Sequence, residues 1–236
     1  EKVTPFVFPQ NNQSTMMAAW LKAQGWKSPR IGFTRYFISL KDYQCLKEAA
    51  PDMQVCDVAI PCYEIRSVKT PEEIQRMRTA AQALTAGMKA AVEAVKPGAL
   101  ETEVLAEAEY AMAKAGSMGA SFRMQVLTHS RQMQIHPYAS SVPLENNAPV
   151  VIHLGASYYG YTAKMCRTVF LGNPRPESVR IYEVLKQAQR VAVDALRPGV
   201  TCGEIYDRAT EYVASQGFGK NWVMTQIGYG VGIRQS

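Results

Sequence analysis

The chain repeats itself. Val92–Gly116, VEAVKPGALETEVLAEAEYAMAKAG, overlays Val193–Gly217, VDALRPGVTCGEIYDRATEYVASQG, at an offset of 101 residues. Pro97 falls on Pro198, Gly98 on Gly199, Glu103 on Glu204, Ala108 on Ala209, Ala113 on Ala214 and Gly116 on Gly217. Each copy reads as a helix, a Pro-Gly break, and a second helix stopped by glycine, which predicts a pseudo-twofold α+β duplication. After the first copy, strand-like segments run through Phe122–Thr128, Val150–Ala156 and Thr168–Leu171, with polar turns between them. After the second, only the stretch from Trp222 to Ser236 remains. On this reading the chain is expected to be truncated at both ends.

Ahead of the duplication, the first residues alternate between helix and strand patterns. A helix is predicted near Ser14–Gln24, a strand at Ile31–Phe33, a helix near Leu40–Ala49, and strand-like runs around Val55 and Ile60. This is the signature of part of a small α/β domain, read as 1–66. Thr70-Pro71-Glu72-Glu73 then places a hydroxyl at the N-cap, proline at the first helical position and a carboxylate three residues on. Ile74, Met77, Ala81, Leu84, Met88, Val92 and Val95 follow at three- and four-residue steps, one apolar stripe that ends at Lys96-Pro97-Gly98. The second domain is read as 67–236.

Composition removes several classes of function. Apolar residues make up 47% and charged ones 19%, so a packed core is affordable and disorder is excluded. The net charge of +6 is dispersed with no basic block, which argues against a nucleic-acid partner. No apolar run approaches the ~20 residues that span a bilayer, and the first residues lack a signal-peptide plan, so no membrane association is expected. The five cysteines, Cys45, Cys56, Cys62, Cys166 and Cys202, form no C-x-x-C pair, which points to a reducing, cytoplasmic setting.

Several segments taken together resemble a known family. IRSVKTPEEI, the K-P-G and R-P-G hairpins, PVVIHLGASYYGYTAKMCRTVFLG and IGYGVGI are similar, in order and spacing, to the pita-bread superfamily of creatinase, aminopeptidase P, prolidase and methionine aminopeptidase. The resemblance implies a pita-bread α+β domain preceded by part of a creatinase-like N-terminal domain, a homodimer, and a small-molecule or peptide substrate. In the metal-dependent members two divalent manganese, cobalt or zinc ions sit among two aspartates, a histidine and two glutamates. Here the first aspartate position is His153, the second is Lys164 and the histidine position is Tyr229; the glutamate positions lie beyond Ser236. The resemblance therefore implies no metal cofactor, with His153, Lys164 and Tyr229 as substrate-binding residues.

His136, in IHPYAS, matches the family histidine that positions or protonates substrate, and it is the candidate catalytic residue. Lys164 is assigned to a substrate carboxylate or to developing negative charge. Cys166, where creatinase carries a substrate-gripping glutamate, is weighed as an activated thiol and Arg167 as a sheet anchor through a carboxylate pair. The expected function is hydrolysis of a C–N bond in a peptide, amide or amidine without a dinuclear metal site. The alternatives are a non-catalytic peptide- or protein-binding module and a metal-dependent Xaa-Pro peptidase.

Overall fold

The computed structural model describes residues 13–26, 28–34, 38–134, 137–219 and 227–233. They fall into two compact units, 1–68 and 69–236.

In the first unit α1 (Gln13–Gln24) precedes β1 (Arg30–Phe33), α2 (Leu40–Ala49), β2 (Gln54–Asp57) and α3 (Ala59–Ser67). The two strands pair in parallel, Ile31 opposite Val55. Leu21, Leu46, Ala50 and Met53 are buried together, with Ile31 and Phe33 packed against them. One expectation is overturned here, because the apolar run at Ile60 belongs to α3 rather than to a strand. The Asp57 carboxylate accepts the Ala59 N–H at 2.7 Å, and Pro61 lies in the first turn, where its missing N–H costs nothing.

The second unit opens with α4 (Pro71–Ala94), started by the expected capping box: Thr70 Oγ1 accepts from the Glu73 N–H and the Glu73 carboxylate accepts from the Thr70 N–H. There follow α5 (Glu101–Lys114), β3 (Gln125–Leu127), β4 (Ala148–Tyr158), β5 (Tyr161–Leu171), α6 (Pro176–Ala195) and α7 (Cys202–Ser215). The duplication is visible in the backbone. Gly98 and Gly199 both take positive φ, +81° and +89°, between their helices, a conformation that costs glycine little. The helix stops match as well: Ser117 N–H donates to Met112 O and Phe218 N–H to Val213 O, the same bond one offset apart.

The sheet order is β3-β4-β5, all antiparallel, and β4 pairs with β5 over eleven positions from Ala148–Leu171 to Tyr158–Tyr161. β3 is shorter than its sequence pattern, since Phe122 lies in a bend before it and Arg123 and Met124 in irregular chain; β5 is longer, starting at Tyr161. One face of this sheet is packed on α4 and α5: Val126, Val150, Ile152, Leu154 and Ala156 are fully buried against Leu84, Ala91, Val104 and Ala108. Strand alternation then puts the intervening residues on the opposite face. Among the described residues no helix is long and apolar enough to cross a membrane.

Candidate functional site

The open face of the sheet collects most of the chemistry. The ladder sets Gln125 opposite His153 and His153 opposite Cys166, a row across all three strands, and sets Gly155 opposite Lys164. Residues on directly opposed positions share a face, so His153, Cys166 and Lys164 rise together from the side away from the helices. None of the open-face positions of β3, β4 and β5 carries a carboxylate.

Phe122 lies over this face. Its ring sits 4.3 Å from the His153 ring, centroid to centroid and tilted by 47°, and 5.4 Å from Lys164 Nζ. The Tyr229 ring lies 4.9 Å from the same ammonium. Tyr229 is carried by a segment that docks on the start of β5: the Thr162 N–H donates to Gly232 O at 3.0 Å and Tyr161 bridges Ile233. The structure thus brings His153, Lys164 and Tyr229 to one place. The two rings act on the lysine as cation–π partners.

Burial, and secondarily the charge of Lys164, hold the His153 imidazole below its ordinary pKa, so it is neutral at pH 7. Cys166 keeps open surface, yet desolvation by its neighbours pushes its thiol up, with Arg167 opposing. A thiol held protonated is a poor nucleophile, which weighs against the activated-cysteine reading. Arg167 donates to the Cys166 carbonyl at 2.7 Å, and among the described residues it pairs with no carboxylate, contrary to expectation. His136 lies outside the described residues. Its sequence neighbour Pro137 accepts a 2.7 Å hydrogen bond from Gln125 Nε2, and Gln125 is the strand partner of His153.

Besides Phe122, three residues were missed by sequence reasoning. Ser121 is 4% exposed and its Oγ has no hydrogen-bond partner among the described residues. Gly155 leaves room for it: a Cβ there would lie 2.2 Å from Ser121 Oγ and 2.4 Å from the Phe122 ring. Glu101, fully buried at the start of α5, accepts from Thr128 N–H (2.8 Å), Ser140 N–H (3.0 Å), Ser140 Oγ (3.2 Å) and the Arg131 guanidinium. It gathers both sides of the stretch in which His136 occurs. The only sequence signal for Glu101 was its mismatch with Cys202 at the same position of the other repeat.

The three positions that the resemblance assigns to metal ligands therefore carry an imidazole, an ammonium and a phenol. An ammonium has no lone pair to give, and its charge repels a further cation. These residues do not fit a dinuclear metal centre, and among the described residues no group of three or more His, Cys, Asp or Glu is placed to hold a metal.

Comparison with known proteins gives a consistent pattern. The family model described as metallopeptidase family M24 matches residues 75–236. An Xaa-Pro dipeptidase of Pyrococcus furiosus is 34% identical over 170 residues, covering 72% of this chain and 49% of that protein. Among solved structures, the prolidase from Pyrococcus furiosus superposes with a TM-score of 0.82 at 29% identity, over 92% of this chain and 63% of that one. An X-Pro aminopeptidase from Thermotoga maritima gives 0.81 at 25% identity, over 93% and 61%. The chain spans about half the length of the curated relatives it matches.

Proposed function

Because the chain belongs to metallopeptidase family M24, we propose that it acts on a C–N bond of a short peptide or related amide, and that it does so without the two divalent ions that give the family its name. The observation that carries this reading is Lys164, an ammonium on the open sheet face in reach of the Phe122 and Tyr229 rings, at a position the family resemblance gives to a carboxylate ligand. His153, Lys164 and Tyr229 hold the substrate in this reading. His136 shuttles the proton between water and the leaving nitrogen, as imidazole's ordinary pKa near ~6.5 permits. The 2.7 Å tie from Gln125 to Pro137 supports that role, since it anchors the neighbour of His136 to the strand beside His153. The neutral state of His153 suits a hydrogen-bonding partner for substrate rather than a second charge beside Lys164.

A non-catalytic peptide-binding module is the second reading, favoured by the same exchanged positions. The five free thiols support a reducing, cytoplasmic setting for either, and a homodimer belongs to the proposal as the family's usual assembly.

The test is metal analysis of unchelated protein together with hydrolysis of Xaa-Pro dipeptides, with and without added manganese. Turnover without bound metal, lost in His136→Ala and retained after chelation, supports the hydrolase. Binding of dipeptides with no turnover supports the module. Two tightly bound equivalents of metal with manganese-dependent activity would overturn both in favour of an ordinary Xaa-Pro peptidase.

A further inference from the structure

We propose that His129 and Arg175 form a proton-sensitive latch between the sheet of the first repeat and the helical hairpin of the second, closed while the imidazole is neutral and released when it takes up a proton. Arg175 immediately precedes α6, and its Nη2 lies 3.2 Å from His129 Nε2, at the head of the short 3-10 turn His129–Arg131 that follows β3. A guanidinium has no acceptor to offer, so this contact requires that Nε2 present its lone pair and that the ring hydrogen sit on Nδ1. Nδ1 is buried and has no hydrogen-bond partner among the described residues. The contact with Arg175 therefore selects the tautomer, and no second bond at Nδ1 reinforces it.

Protonation inverts the contact. An imidazolium carries a hydrogen on both nitrogens, so Nε2–H then points at an N–H of the guanidinium and two positive charges face each other. A carboxylate is at hand for the cation. Glu145 bonds to both neighbours of His129: its Oε1 accepts from the Ser130 N–H at 3.0 Å, and its own N–H donates to Thr128 Oγ1 at 2.8 Å. Hydrogen bonds from Ser130 hold the Glu145 carboxyl below its ordinary pKa, with a smaller part from the charge of His129, so the acid is ionised where imidazoles titrate. The other charges at the turn are matched, since Arg131 pairs with the buried Glu101. β4, tied to the turn by a 2.8 Å bond from Gln132 Nε2 to Pro149 O, brings only the apolar run Ala148–Ile152 to this end. The imidazole thus stands between a guanidinium that accepts its neutral form and a carboxylate that favours its charged one, the two-position arrangement on which a histidine switch depends.

What the latch holds is separable from the sheet. α6 and α7 bury Val184, Ala188 and Val213 in a core of their own, apart from the one between the sheet and α4 and α5. Toward the sheet, α6 sets Tyr182 edge-on to Phe170 with 5.4 Å between ring centroids. With the Arg175 contact released, the hairpin keeps its own packing and loses a tether at the start of α6.

Nuclear magnetic resonance of the full chain with isotope-labelled histidine, followed from about pH 8 to about pH 5, tests the latch across the range where imidazoles change charge. Residual dipolar couplings report the orientation of α6 against β4 in the same samples. At the alkaline end His129 is expected as the Nδ1–H tautomer, the opposite of the one a free imidazole prefers, with α6 in a single orientation. As His129 charges, its contact with Arg175 should be lost and the orientation of α6 should change along the same titration curve. His129→Gln should abolish that change, because the amide oxygen accepts from the guanidinium at every pH. Arg175→Met should abolish it from the other side, leaving α6 in the released orientation throughout. An Nε2–H tautomer at the alkaline end, an α6 orientation that stays constant while His129 titrates, or a change that persists in His129→Gln overturns the proposal.

Discussion

Replacing Glu101 by alanine is expected to cost about 3–5 kcal/mol, the range for breaking a buried ion pair by removing one partner. The residue is fully buried, and the Arg131 side chain it pairs with is 16% exposed. Removal leaves that guanidinium with Tyr138 O and Ser140 Oγ as its remaining partners. It also strips the Thr128 and Ser140 amides of their acceptor. Each orphaned amide costs about 1–3 kcal/mol taken singly, but the losses share one carboxylate and do not add. Glu101→Gln keeps volume and one acceptor oxygen, so about half the loss is expected. Adding Arg131→Met to Glu101→Leu should recover part of it, because no uncompensated charge then stays inside. Urea denaturation by circular dichroism gives the free energies, and amide exchange at Thr128 and Ser140 localises them. A loss below about 1 kcal/mol with unchanged exchange at both amides would refute the clamp, since both donors would then have found other partners.

Further outcomes are expected elsewhere. Gly155→Ala should destabilise the second unit by about 1–3 kcal/mol, read as a lowered urea midpoint, because the new Cβ must displace Ser121 Oγ and Phe122; an unchanged midpoint means that both yield freely. Thr70→Ala should cost about 0.5–2 kcal/mol through loss of the cap on α4, measured the same way. In an NMR titration His153 should ionise below its ordinary value, and Lys164→Met should bring it only partly back, since burial is the larger cause. The depressed value means that the unfolded chain binds the His153 proton first. Stability from this group is therefore present above about pH 6.5 and declines as the pH falls toward the folded-state value, a slope that His153→Gln should remove.

The elements written in local chemistry were legible before any coordinates. The Thr70-Pro71-Glu73 start, the Pro-Gly breaks and the glycine stops each depend on residues within a few positions, and the repeat supplied a second copy to check them against. Ile60 misled because a short apolar run does not separate strand from helix, and the deciding bond came from Asp57. His153, Lys164 and Tyr229 were nameable from the family resemblance, whereas Ser121, Phe122 and Gly155 were not. Their relation is a contact across 33 or more residues of chain, set by strand register. Glu101 was hidden for a similar reason: it reads as one of several glutamates in an amphipathic helix until the 128–140 stretch closes around it.

The unbroken eleven-position pairing of β4 with β5 separates what holds this region from what it displays. Val150, Ile152, Leu154 and Ala156 fix the hairpin by facing inward, while His153, Gly155, Lys164 and Cys166 hang outward like letters on a fixed line. A single-residue insertion between Tyr161 and Lys164 would turn the lysine toward the helices and its neighbour outward, because side chains alternate with a period of two. Substitution at an outward position other than the close-packed Gly155 leaves that line intact. The hairpin is thus a scaffold whose outward residues can be exchanged, in charge as in size, while the inward ones keep the register.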